Sequence, residues 1–405
     1  MARAVKGMST SGVERGRLSS GDMYSLKTAK SIIAAAPIDW AVFLEGPIGI
    51  GKSTMVKELC EERDWVMVDL RLSQLEAIDL KGFPKYDEKT GEARWVPYTD
   101  VLPQPGKHGE KGILFLDEIN LASPDVQKAA YQLILDRRIG AYKLPPGWKI
   151  VAAGNRKEDV GIDDFLTEMS NALKNRFFHV KVEPPVTDEQ RNEMFRWFYS
   201  KGSHPSVISY LKQFPQAIYE PKTVDVSNAW PSPRTWKMLS DFIRVDNSII
   251  SNSDGDLTDD NAILQVVASG AVGPRGLEFA TWVRIFDKIP DGRSILEKGL
   301  KETLDSEKKQ LPTIKDADQL TALCTSIVSH LQALYNKKDV IRNFFDFLKK
   351  VPEEFAVYAL QECWRISAGG EKALATALYQ SPEYAKFAVA GVDLIDPVSM
   401  AGMGR

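Results

Sequence analysis

An apolar run at residues 41–45 gives way to a loop holding three glycines, Gly46, Gly49 and Gly51. The loop ends on Lys52, Ser53 and Thr54, where a helical pattern begins. Gly46, Gly51, Lys52 and Ser53 fit the spacing G-x-x-x-x-G-K-[ST]. Glycines let successive backbone N–H groups turn inward without a side-chain clash, which makes a nest for an anion. A helix starting at the end of such a nest adds its positive N-terminal end. The whole loop, Gly46, Pro47, Ile48, Gly49, Ile50, Gly51, Lys52, Ser53 and Thr54, is therefore expected to cradle a triphosphate. Lys52 would reach the β- and γ-phosphates, and the Ser53 hydroxyl would hold Mg²⁺. The plainer alternative is a strand-to-helix turn. The strand before the loop and the Met55, Val56 and Leu59 stripe after it favour the phosphate.

Further short apolar runs at 65–70, 113–116, 149–153 and 177–182 alternate with helical stretches. Several lack the polar alternation of a half-wet strand, as expected of a parallel sheet covered on both faces. The fold class is α/β, a doubly wound parallel sheet with ligands at the carboxyl ends of its strands. After Glu183-Pro184-Pro185 helical patterns dominate. The expected division is a flexible arm at 1–22, an α/β nucleotide-binding domain at 23–186, an all-α lid at 187–290 and a C-terminal helical region at 291–405. The final residues, 396–405, are expected to fray.

"GILFLDEIN" at 112–120 is an apolar strand ending in two carboxylates. Asp117 suits a metal or its water shell, and Glu118 suits a water to be polarised for attack. An acidic pair alone is a common strand cap; beside the glycine loop it reads as catalytic. "ASPDVQKAAYQLILDRR" follows as a helix capped by Ser123, with Pro124 in its first turn. "RIGAYKLPPGWKIVAAGN" reads as a hairpin with a Pro-Pro-Gly turn whose second strand ends on Asn155. A polar side chain there can meet the γ-phosphate or a water.

The net charge of -3 lacks the basic excess of a general nucleic-acid binder, although a local basic channel fits a neutral total. Cys60, Cys324 and Cys363 show no CxxC spacing and fit buried thiols in a reducing cytoplasm. Four scattered histidines make no metal cluster, and no apolar run approaches ~18 residues, which argues against a membrane span.

"GPIGIGKST", "LFLDEIN", "SPDVQKA", "VAAGN" and "ALKNRF" stand in the order and approximate spacing of the AAA+ ATPases, and their wording resembles the MoxR family across roughly residues 25–245. The resemblance implies a Walker A loop at Gly46 to Thr54, which binds ATP with Mg²⁺, and Walker B at Asp117 and Glu118. It implies that Asn155 is sensor 1, Arg176 an arginine finger for a neighbouring subunit, and Arg234 the sensor 2 arginine of the lid. It also implies a homo-oligomeric ring, commonly a hexamer, and two hairpins, at 83–98 and 138–150. Asn175 stands where the family usually has Asp, Arg156 where it usually has Pro, and the chain beyond residue 245 exceeds the usual lid.

Plainer roles stand beside these. An isolated Arg176 or Arg234 is most often a surface or salt-bridging side chain. Arg137 and Arg138 face either a subunit interface or solvent at a helix end. Trp95 and Tyr98 either touch a substrate in a ring pore or pack across their hairpin. Three outputs compete: a chaperone-like remodeller of client proteins working with a von Willebrand A-type partner, a motor acting on DNA or RNA, and a nucleotide-switched binding module. Glu118 argues against the third, and the mild acidity leans against the second.

Overall fold

The computed structural model describes residues 23–96, 101–156, 167–220, 229–245, 259–367 and 372–389. The N-terminal arm at 1–22, Tyr98 and the final ten residues lie outside these.

A five-stranded sheet is built from β1 (Ala41–Glu45), β2 (Val66–Arg71), β5 (Gly112–Asp117), β8 (Trp148–Gly154) and β9 (Phe177–Lys181). Its order is β2-β5-β8-β1-β9, and every pair is parallel. Two antiparallel hairpins stand apart from it, β3 (Phe83–Asp87) with β4 (Glu92–Val96), and β6 (Arg138–Ile139) with β7 (Tyr142–Lys143). The helices of this half are α1 (Leu26–Ala35), α2 (Lys52–Glu62), α3 (Ala77–Lys81), α4 (Pro105–His108), α5 (Pro124–Asp136) and α6 (Asn171–Lys174).

Period-two alternation sends neighbouring strand residues to opposite faces. Val42, Leu44, Ile113, Phe115, Val151 and Ala153 pack with Ile33 of α1 and Val56 and Leu59 of α2. Phe43, Leu114, Leu116, Ile150 and Ala152 pack with Val126, Ala130 and Leu133 of α5. Both faces are dry over the three central strands, β1, β5 and β8, so these carry apolar residues at consecutive positions; all seven residues of β8 are buried.

The Pro-Pro-Gly hairpin expected from the sequence is not formed. The hairpin turns at Gly140 and Ala141 instead, between the two-residue strands β6 and β7. Pro145-Pro146-Gly147 leads straight into β8, which joins the main sheet because its continuous apolar run is better buried there. Asn155 is the first residue after β8.

The helical half begins with α7 (Asp188–Ser200), α8 (Pro205–Gln213) and α9 (Pro233–Val245). It continues with α10 (Asp259–Val272), α11 (Arg275–Trp282), α12 (Ile285–Lys288), α13 (Gly292–Lys298) and α14 (Leu300–Glu307). The last five are α15 (Ala317–Leu334), α16 (Val340–Leu348), α17 (Glu353–Ser367), α18 (Lys372–Tyr379) and α19 (Pro382–Val389). Thr187 and Gln190 form a reciprocal capping box that starts α7. Trp236, Leu239 and Ile243 make the buried stripe of α9. One apolar cluster runs from Met194 to Phe387, so helices on both sides of residue 290 share a core.

Candidate functional site

The glycine loop connects the carboxyl end of β1 to α2. Gly49 and Gly51 take φ of +79° and +105°, a region costly for side chains other than glycine. A Cβ at Gly49 would also lie 2.8 Å from Ser232 Oγ, so the helical half rests directly on the loop. Arg234 N donates to Gly49 O at 3.2 Å in the same place.

Lys52 is buried, 8 % exposed, and its ammonium is directed into the loop. It donates to Gly46 O at 2.7 Å, Pro47 O at 2.9 Å and Asn155 Oδ1 at 3.2 Å. Ser53 Oγ donates to Asp117 Oδ2 at 2.9 Å. A hydroxyl beside a carboxylate offers the hard oxygen ligands that Mg²⁺ prefers, so these residues fit the ion. Among the described residues no group of three or more His, Cys, Asp or Glu forms a metal cage; most of an ion's shell here would come from phosphate and water.

Glu118 follows the last residue of β5 with φ of +57°, an uncommon value for a residue with a side chain. Its N–H donates to Asp117 Oδ1 at 3.0 Å, and its Oε2 accepts from Ser73 Oγ. Asn155 is fixed by Asn120: Asn120 Nδ2 donates to Asn155 O at 2.6 Å, and Asn155 N donates to Asn120 Oδ1 at 3.2 Å. Gln127 of α5 is buried and donates to Ile119 O and Ala122 O, which holds the turn carrying Asn120. Asp69, on β2, has its carboxyl pushed above the ordinary range by burial first and by the Asp117 charge second.

Ser73, Asn120, Gln127 and Asp69 were not singled out by the sequence. Asn120 sits inside the "DEIN" stretch, but its partner lies 35 positions on. Ser73 carries no local signal at all.

A cleft of about 880 Å³ borders the loop on the helical side. Gly49, Ser53, Leu26, Met194 and Arg234 line it, and the size suits a nucleotide. Asp117, Glu118 and Asn155 stand outside that lining, at the strand ends.

Arg176 is exposed; its Nε donates to Tyr131 Oη at 3.3 Å, and its guanidinium lies 6.0 Å from the Tyr131 ring centre. It precedes β9, whose first residue pairs with Ala41, the first of β1, whereas the loop follows Glu45, the last. Those two levels are roughly 13 Å apart along the strand at ~3.3 Å per residue. Arg176 is thus not brought to its own chain's loop.

Arg137 is turned back onto its own chain rather than left solvated at a helix end. It is the left-handed cap of α5, and its guanidinium turns inward to donate to Ile38 O at 2.8 Å and to Trp148 O. Arg138 stays largely exposed, 3.8 Å from Asp136. Trp95 is 49 % exposed on its hairpin, beside Gly140 of the second hairpin.

A glycine loop at the carboxyl edge of a parallel sheet, closing on a lysine, a hydroxyl and an acidic pair, defines a P-loop nucleotide-binding domain. Residues 41–177 match the AAA domain family, dynein-related subfamily. This part of the chain is similar to AAA domains, and the match spans the glycine loop, the acidic pair and Asn155. It is similar to the protein NorQ of Paracoccus denitrificans, 29% identical over 162 residues, which are 38% of this chain and 56% of NorQ. The chain thus spans little more than half the length of that relative. Two solved structures overlay loosely. NtrX of Brucella abortus with ADP is 14% identical, covering 91% of this chain and 68% of its own at a TM-score of 0.35. The RuvB Holliday junction branch migration motor of Thermotoga maritima is 15% identical, covering 73% and 85% at 0.31. Overlays this loose say nothing about residue roles. Among the described residues no helix is long and apolar enough to cross a membrane.

Proposed function

We propose that the protein binds and hydrolyses ATP at the interfaces of a homo-oligomeric ring, and that the resulting movement remodels client proteins. The observation that carries this is the meeting of Lys52, Ser53, Asp117 and Asn155 at one loop, with Glu118 next in line.

Each residue then has a task that its position supports. The Lys52 ammonium, already held among acceptors, exchanges them for phosphate oxygens. Glu118 orients a water and takes its proton as the water attacks the γ-phosphate, leaving ADP and phosphate. Asn155, fixed through Asn120, orients the same water. Ser53 and Asp117 would hold Mg²⁺, which screens the phosphate charge. Arg234, on the lid, and Arg176, from an adjacent copy, supply charge toward the γ-phosphate. The placement of Arg176 at the opposite level of its own sheet is what favours a shared site. A hexamer and a von Willebrand A-type partner follow from the MoxR resemblance alone, and a cytoplasmic location from the free, buried thiols of Cys60, Cys324 and Cys363.

The test is nucleotide titration and turnover in two forms of the full chain. Lys52→Ala should lose most ATP affinity, and unchanged affinity would contradict the site. Glu118→Gln with ATP and Mg²⁺ should retain its client; co-purifying protein supports remodelling, whereas nuclease-sensitive material replaces it with a nucleic-acid motor.

A further inference from the structure

Helix α7 has two occupied faces. Gln190, Met194 and Trp197 line the cleft beside the phosphate loop. Phe195, Phe198 and Tyr199 are buried in the helical core, and α7 packs against α17. Ile366 of α17 and Gln332 of α15 reach the same cleft. The C-terminal helices therefore form part of its wall.

The joint between the two groups of helices contains a dry ion pair. Lys212 of α8 donates to Glu362 Oε2 of α17, and the two side chains are 8% and 1% exposed. Three rings surround the ammonium, with centres at 5.5 Å for Phe195, 5.1 Å for Tyr199 and 5.4 Å for Tyr358. Arg365 occupies the other Glu362 oxygen. Thr325 of α15 joins through the Tyr358 hydroxyl at 3.2 Å. Apolar surfaces can slide past one another at small cost. A buried pair cannot, because displacement strands a charge away from water.

We propose that the lid and the C-terminal helices form one rigid lever pinned by Lys212 and Glu362, so that nucleotide in the cleft moves α15 and α17 together with α7. By reciprocity, whatever displaces α15 and α17 alters nucleotide affinity. The nucleotide half of this rests on the proposed ATP site; the lever itself does not.

Native-state hydrogen exchange of the full chain in low, rising urea tests the lever. Amides of α7, α8, α15 and α17 should share one urea dependence, with protection agreeing within about threefold. Lys212→Met should lower protection in all four helices together, by at least about tenfold, since Glu362 is left buried without its main partner. Lys212→Met/Glu362→Met should recover overall protection, since the part-exposed Arg365 can turn to water. The shared urea dependence should nevertheless split, with α15 and α17 opening apart from α7 and α8. A double variant that keeps one shared dependence overturns the pin. That double variant and the unmodified chain decide the matter even where the single variant fails to fold. Opening of α15 and α17 at lower urea than α7 and α8 in the unmodified chain overturns the lever. In a second arm, a fluorescent non-hydrolysable ATP analogue with Mg²⁺ is titrated first, and exchange is then repeated. Equal added protection in α7 and α17 supports the linkage, and protection of α7 alone overturns it. Absence of binding removes the ATP site and the nucleotide linkage, while the urea arm still judges the lever.

Discussion

Charge is managed in opposite ways in the two halves of the molecule. Near the strand ends, burial first and then the charges of Asp117 and Glu118 push the Asp69 carboxyl upward, with Arg71 opposing. In the helical half, Lys212 and Glu362 bury opposite charges against each other. Neighbouring like charges cost stability and become useful when a cation arrives; buried opposite charges hold a geometry. The sheet edge is thus arranged for a ligand, and the helices for shape. Substitutions should divide accordingly: those at the strand ends change turnover, and those among the helices change stability.

The largest effect is expected at Arg176. Its contact with Tyr131 is exposed, so Arg176→Ala should leave the melting temperature nearly unchanged while turnover falls ~10³–10⁵-fold. Mixing it with Lys52→Ala chains should restore some turnover, where an intact loop meets an intact arginine. No rescue at any mixing ratio would break the shared site. Next comes Glu118→Gln, with turnover down ~10²–10⁴-fold and ATP affinity within a few-fold of the parent. Steady turnover at the parent rate would remove Glu118 from the chemistry.

The helical half should answer in the other currency. Trp236 is fully buried, donates through Nε1 to Ala217 O at 2.6 Å, and packs against Tyr210 and Phe279. Trp236→Ala should cost about 3–5 kcal/mol in urea unfolding. A loss under about 1 kcal/mol would mean that the apolar cluster is not the source of the half's stability.

These two halves were unequally legible in the sequence. Phosphate chemistry demands particular residues at fixed local spacing, so the loop and the acidic pair could be read directly. Asn155 stood out only as a polar strand end and took its sensor 1 role from the family resemblance. The sheet was legible too, because burial on both faces imposes apolar runs. What stayed hidden depends on distant partners. Lys149 looks misplaced in an apolar strand until it is seen donating to Ile33 O at 2.9 Å and Ala34 O at 3.2 Å, which closes the end of α1. Ser73 meets Glu118 only because β2 lies beside β5. Lys212 and Glu362 are 150 positions apart, and each alone reads as an ordinary surface charge. The short hairpin was misplaced because Pro-Pro-Gly is a strong turn signal, yet burial of the following strand took precedence.

The smallest effect is the sharpest test of the charge contrast. The folded pKa of Asp69 lies above its ordinary 3.8, so in the interval between those values the native state holds the extra proton. Stability contributed by this group therefore falls as pH rises from below 3.8 through the folded value, and the penalty is constant above it. Asp69→Asn removes that penalty. Urea unfolding from about pH 3 to pH 7 should show coincident stabilities for parent and variant in acid and a more stable variant at neutral pH. The gain should stay under about 1 kcal/mol, because Asp69 is part-exposed and solvent screens its neighbours. A parent chain more stable at neutral pH would mean that Arg71 outweighs burial and the neighbouring carboxylates together at this position. The sheet edge would then be as well neutralised as the helical joint, and the contrast between the halves would fail.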